Sequence, residues 1–135
     1  VLFNRFHAPD INIETLEFTS SKNLSQEYEL YNTIRWVGLL SENLRCDLAA
    51  TTGVHNSTSM IKLLLAGADA VQAASIFYQK GIPYGKTMLS ELKEWMEKKE
   101  FSSISDFKAK LNYRNIENPA VYFRTQFMKY MAGIE

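Results

Sequence analysis

Ala-Thr-Thr-Gly-Val-His-Asn-Ser-Thr-Ser-Met-Ile-Lys-Leu-Leu-Leu-Ala-Gly-Ala-Asp-Ala-Val-Gln-Ala-Ala-Ser-Ile-Phe-Tyr-Gln-Lys occupies residues 50–80 and decides how this chain is read. It predicts a strand end, a polar turn, a helix, a short turn, a second strand and the start of another helix. Asn56 and Ser57 offer N-caps, because a short polar side chain can accept from an orphan N–H of the first turn. Met60, Ile61, Leu63, Leu64 and Leu65 make that helix apolar, and Gly67 is a natural residue to end it. Residues 70–74 form the next strand. Both strands finish in small or hydroxyl residues and lead straight into a helix. Backbone N–H groups at such ends converge on an anion, and small side chains let it come close.

Outward from this segment the pattern continues. Residues 46–51 complete the first of the two strands. Leu30, Ile34, Val37 and Leu40 recur at helical spacing, widened by Tyr31, Trp36 and Leu44, and predict a helix over about residues 29–43. Residues 1–6 read as a buried strand carrying Asn4 toward its C-terminal end. His7-Ala8-Pro9-Asp10 is turn chemistry. Ile11, Ile13 and Leu16 to Phe18 suggest short extended pieces that could cover a site, and a polar loop follows over residues 19–25. Downstream, Gly81-Ile82-Pro83 ends a short helix through Phe77 and Tyr78. Met88, Leu89, Leu92, Trp95 and Met96 then form one apolar stripe. Ser105-Asp106 opens a short helix with Phe107 and Leu111 inward. Asn118-Pro119 starts the last helix, over about residues 119–132, where Tyr122, Phe123, Phe127 and Tyr130 suit packing or a homodimer contact.

Composition narrows the function. Of 135 residues, 46% are hydrophobic, which is globular rather than disordered. Fifteen basic residues balance fifteen acidic ones, so nothing draws the chain to nucleic acid or to an anionic membrane. The single cysteine, Cys46, has no internal disulfide partner and suits a reducing, cytoplasmic setting. No apolar run approaches the roughly 18 residues of a membrane span. His7 and His55 are not spaced as a metal pair, and no metal site is expected. His55 follows the polar turn, where it could line the rim of a pocket, and reads first as a solvated loop histidine, while Arg5 reads as an ion-pair or surface residue.

Strand, helix, strand, helix, strand, helix is the alternation of parallel strands with crossover helices. Three strands are three-eighths of a TIM (β/α)8 barrel of about 250 residues, whose phosphate site commonly follows its last two strands. The expectation is therefore the C-terminal portion of such a barrel, about three βα units plus extra helices, with residues 1–112 as barrel and 113–135 as a helical extension packed on it. The alternative is a complete small α/β domain, although a parallel sheet with two open edges is an awkward independent unit.

Thr51-Thr52-Gly53-Val54, a helix, and then Leu65-Ala66-Gly67-Ala68-Asp69-Ala70-Val71-Gln72-Ala73-Ala74-Ser75 resemble the C-terminal part of the soluble, class 1 dihydroorotate dehydrogenases. That family shows Gly-Gly-Val or Gly-Gly-Ile, a helix, then Ala-Gly-Ala, two variable residues and Val-Gln-Val-Gly-Thr. Met88 to Trp95 with Phe101, Ile104, Phe107 and Leu111 resembles its closing segment. The resemblance implies an FMN-dependent oxidoreductase that converts dihydroorotate to orotate in pyrimidine biosynthesis. It implies that Thr52, Gly53, Ala74 and Ser75 hold the FMN phosphate through backbone N–H groups. Two family glycines have become Thr52 and Ala74 here, and the hydroxyls of Thr52 and Ser75 could donate in compensation. Asn4 stands where the family binds its pyrimidine substrate. Asn23-Leu24-Ser25-Gln26 stands where the family has Gly-Leu-Ser-Gly, which places Ser25 and Gln26 at the flavin.

The family's flavin-contacting lysine and its Cys or Ser base lie earlier in the barrel than any residue here, so the 135 residues alone are expected not to turn over. The replaced glycines, and Arg5 beside Asn4, keep a second reading open: a related barrel with an altered substrate or lost activity that binds a phosphorylated ligand. A third is a self-contained domain whose aromatic C-terminal helix mediates assembly.

Overall fold

The computed structural model describes residues 1–3, 8–20 and 23–123. Asn4, Arg5, His7 and the predicted helix beyond residue 123 lie outside the described residues.

Three lengths of chain run side by side through the core. The N–H of Leu2 donates to the Ala49 carbonyl at 2.8 Å, and that of Thr51 donates to the Leu2 carbonyl at 2.7 Å, a parallel bridge. Strand β3 (Ala49–Ala50) pairs in parallel with β4 (Ala70–Val71), Ala49 opposite Ala70 and Ala50 opposite Val71. Spatial order therefore follows chain order. Helix α1 (Leu30–Leu40) lies between the first and second lengths, and α2 (Ser57–Ala66) between the second and third. This is the parallel crossover pattern expected from the alternation, with no closed barrel among the described residues.

The ladder is shorter than predicted. Cys46 is exposed and precedes β3, and Thr52 and Gly53 take positive φ, which ends the extended conformation just after Thr51. Alanine also contributes little side chain to a pleated surface, so these strands are held by their neighbours more than by themselves.

Capping sets the helix boundaries. A 3-10 turn (Glu27–Glu29), with Gln26 at its N-cap, precedes α1. Asn56 begins α2 by accepting from the N–H of Ser59 at 2.8 Å. Gly67, at φ 115°, ends α2 and returns its N–H to the carbonyls of Leu63 and Leu64. A Cβ there would also meet the Ser41 side chain at 2.5 Å, so glycine is needed for both conformation and space.

The main core gathers Leu30 and Val37 of α1, Leu63 of α2, Leu48, Ala50 and Val54 around β3, and Ile76 of α3 (Ser75–Lys80). Met88 of α4 (Tyr84–Lys98) joins them. A second cluster joins Ile61, Leu64 and Leu92 to Phe107, whose ring meets Trp95 edge-on at 5.0 Å. Within the predicted stripe Met88 and Leu92 are buried, whereas Leu89 is exposed. Leu111 is exposed too. The segment after the 3-10 turn Ile104–Asp106 is not helical, and Ala109 sits at φ 62°, so Phe107 and Leu111 do not share a face. That segment docks instead through its backbone, with Ala109 N–H on the Leu64 carbonyl and Leu111 N–H on that of Leu65.

The extended pieces pair as an antiparallel hairpin, β1 (Pro9–Asn12) with β2 (Glu17–Ser20), and both strands are exposed throughout. Residues 113–122 fold back on α1. Tyr113 N–H donates to the Gly38 carbonyl, and Tyr122, buried, lies where a Cβ on Gly38 would stand 2.3 Å from its ring. Among the described residues no helix is long and apolar enough to cross a membrane.

Asp69 ties the turn before β4 in place. Its carboxylate accepts from Lys108 Nζ at 2.6 Å and from Leu48 N–H at 2.7 Å. The Lys108 hydrogen bond, with help from the Leu48 N–H and against the cost of desolvation, holds the carboxyl below its ordinary value. A depressed folded pKa gives stability that is present above the unfolded value and is lost as pH falls through the folded one. Asp69→Asn is therefore expected to lower stability at neutral pH and to flatten the loss between about pH 5 and pH 2, read by denaturant unfolding at a series of pH values. An unchanged acid limb would remove Asp69 from that account.

Candidate functional site

The two strand ends and one loop line a half-open cavity. After Thr51, the chain turns sharply with Thr52 at φ 79° and Gly53 at φ 77°. A β-branched residue at positive φ is a strained outlier and persists only where its surroundings over-determine it. They do so here. Thr52 Oγ1 donates to the Phe3 carbonyl at 2.9 Å, and Thr33 Oγ1 on α1 donates to the Thr51 carbonyl at 3.1 Å. A Cβ on Gly53 would stand 2.4 Å from the Leu30 nitrogen, so the start of α1 rests directly on this glycine.

The second strand end continues from Gln72, whose N–H donates to the Ala50 carbonyl at 2.8 Å, through Ala73 and Ala74 into Ser75. The loop carrying Ser25 closes the third side. Ser25 N–H and Ser25 Oγ each lie 2.9 Å from Ser75 Oγ, and Ser25 Oγ lies 3.2 Å from His55 Nε2. Between these walls and Phe3 is a cavity of about 340 Å³.

The structure brings Ser25, Thr52, Gly53, Ala74 and Ser75 together on that wall. Gln26 is not on it. Its side-chain amide turns back to the carbonyls of Leu24 and Ser25, and its N–H donates to the Glu29 carboxylate, so it starts the turn before α1. Asn4 lies outside the described residues, although Phe3 before it lines the cavity. His55 corrects the sequence reading. It is 6% exposed, not solvated, and stands behind the wall on Ser25. The reversal at Thr52 and Gly53 turns the following residues inward, and no periodicity in the sequence announces that.

A second correction concerns the hydroxyls. That of Thr52 is committed to the Phe3 carbonyl, so it does not serve a ligand. Ser75 Oγ accepts from the Ser25 N–H and is in hydrogen-bond contact with the Ser25 hydroxyl, each at 2.9 Å.

The lining residues carry no ionisable side chain. No described backbone acceptor takes the N–H of Thr52, Gly53, Ala74 or Ser75. The lining is neutral and polar, with the hydroxyl residues Ser25, Thr51, Thr52 and Ser75 and the amides of Asn23 and Gln72 beside these backbone groups. Such a wall fits an anionic oxygen cluster, because successive backbone N–H groups form anion-binding concavities without a counter-charge. Among the described residues no group of three or more His, Cys, Asp or Glu is placed to hold a metal ion.

Part of the chain is similar to a dihydroorotate dehydrogenase (fumarate) of Lachancea kluyveri, 34% identical over 65 residues. The match covers 48% of this chain and 21% of that protein, so it spans about a fifth of the relative's length. No protein-family model matches the chain.

The strain at Thr52 is measurable. Thr52→Ala loses the bond to Phe3 and keeps the positive φ, whereas Thr52→Gly loses the bond and relieves the backbone. Thr52→Gly is expected to be more stable than Thr52→Ala by about 1 kcal/mol in denaturant unfolding, the reverse of the order at an ordinary strand position. Gly53→Ala meets both the φ penalty and the Leu30 backbone, and is expected to cost more than Gly81→Ala, where φ is 80° but the nearest atom is Pro83 Cδ at 3.5 Å.

Proposed function

We propose that this chain supplies the phosphate end of an FMN site in a flavin-dependent oxidoreductase of the dihydroorotate dehydrogenase type. The observation that carries this reading is the meeting of two consecutive parallel strand ends and the Ser25 loop around one cavity without an ionisable lining residue. Thr52 supports it further. It stands where the resembling family has glycine, and its backbone keeps a glycine-like φ of 79°. The similarity to part of a dihydroorotate dehydrogenase points the same way.

The same reading makes Leu2, β3 and β4 an arc of a (β/α)8 barrel. Consecutive strand order with intervening helices supports it, and the outer edge of β4 is free among the described residues to pair with a further strand.

In this site the N–H groups of Thr52, Gly53, Ala74 and Ser75 would hold the phosphate, with the Ser75 hydroxyl donating beside them. The Thr52 bond to Phe3 fixes the phosphate turn against the end of the first strand, where Asn4 follows as the proposed substrate contact. The chemistry that FMN would supply when bound there is acceptance of a hydride from the substrate. The residues here orient and anchor, and the base and remaining flavin contacts belong to other parts of the barrel.

A second reading has a specific observation in its favour. Ala74 places a methyl group on the cavity wall where the resembling family has glycine, which narrows the approach of a phosphate and suits a different ligand.

The test is the visible spectrum of the purified full-length protein, followed by dihydroorotate without oxygen. Flavin bands that bleach are the expected result. Bands that persist would keep FMN and replace the substrate, favouring the second reading. A colourless protein that takes up no added FMN would overturn the flavin assignment.

A further inference from the structure

The anchoring described above gives His55 no part, yet it is buried and bonded into the cavity wall. Resting on the phosphate reading of the cavity, we propose that His55, acting through Ser25, orders the Ser75 hydroxyl as a donor. It thereby sets the site's preference for a phosphorylated ligand over the same ligand without its phosphate.

Counting hydrogens leads there. Ser75 Oγ receives the Ser25 N–H at 2.9 Å, which occupies one lone pair whatever else happens. The remaining question is which way the hydroxyls of Ser25 and Ser75 point across their 2.9 Å contact. A hydroxyl has one hydrogen to give and two lone pairs to receive, and its rotor follows its partners.

If His55 carries its proton on Nε2, that N–H donates to Ser25 Oγ. Ser25 then gives its hydrogen to Ser75, both lone pairs of Ser75 are filled, and the Ser75 hydrogen is left for the cavity. The wall presents a donor. If Nε2 is bare, it takes the Ser25 hydrogen, Ser25 receives from Ser75, and Ser75 shows the cavity a lone pair. The wall then presents an acceptor and repels a phosphate oxygen. Two arrangements of one proton thus give opposite specificities. Ser25 and His55 are 7% and 6% exposed, so bulk water has little access to scramble the chain. His55 is a positioning residue, since Ser75 rather than the imidazole touches the ligand.

The experiment uses full-length protein with ¹⁵N-labelled histidine and backbone, titrated with inorganic phosphate and then with FMN and riboflavin. With phosphate bound, the His55 signals are expected to show a protonated Nε2. Binding of FMN relative to riboflavin measures the preference. His55→Leu and Ser75→Ala are each expected to reduce it about tenfold, the loss of one hydrogen bond to a charged group. His55→Gln, whose amide N–H can occupy the place of Nε2–H, is expected to hold it within about threefold.

If the Gly53 and Ser75 amides respond to phosphate while His55 Nε2 stays bare, the relay is overturned and the phosphate site stands. Equal preference in wild type and His55→Leu overturns the relay in the same way. If those amides respond to neither phosphate nor FMN, the phosphate reading fails and the relay falls with it. The wild-type tautomer decides the matter even where the leucine variant does not fold.

Discussion

The close seating of Leu30 on Gly53 is the constraint on which the rest of this structure depends. Two elements that share no sequence signal are forced together there, with 2.4 Å between an imagined Gly53 Cβ and the Leu30 nitrogen. Because α1 cannot move outward without losing Leu30 and Val37 from the core, the turn after β3 has one available shape. The Thr33 bond to the Thr51 carbonyl and the Thr52 bond to the Phe3 carbonyl fasten that shape from both sides. Strain of this kind survives only in surroundings that over-determine it. The cavity is what the over-determination leaves: a gap bounded by backbone that cannot relax into it.

How much of this is legible in the sequence depends on the range of the interaction. The Asn56 cap, the Gly67 terminus and the burial of Met88 and Leu92 follow from local chemistry and periodicity, and are readable. The gathering of Thr52, Gly53, Ala74 and Ser75 is readable because consecutive parallel strands put their C-terminal ends at one edge, whereas Ser25 is placed with them only by the family resemblance. Strand lengths are not, since alanine-rich segments hold a ladder only as far as their neighbours allow. Gln26 shows a different limit. It has the polarity of a ligand, but the orphan groups at the start of α1 claim it first.

His55 and Leu111 depart from the sequence pattern for one reason. Each follows a residue of positive φ, Gly53 for the first and Ala109 for the second. A left-handed residue rotates everything after it, so the face that sequence spacing assigns downstream no longer holds. Glycine warns of such a break. Thr52 and Ala109 give no warning, because only tertiary contacts stabilise that conformation for them.

Threonine at position 52 therefore has two opposing effects on the cavity. Its hydroxyl replaces a weak constraint with a bond to the first strand, which fixes the turn. The same bond turns that hydroxyl away from the cavity, so a phosphate held there as proposed would meet backbone groups, Ser75 and the neutral polar side chains beside it. A site without ionisable lining gains little from long-range attraction, so its discrimination rests on the direction of a few donors. Direction in a hydroxyl is borrowed from whatever bonds to it. In this fold the lender is a buried imidazole one layer behind the wall, and the link between them is Ser25, whose backbone and side chain both meet Ser75.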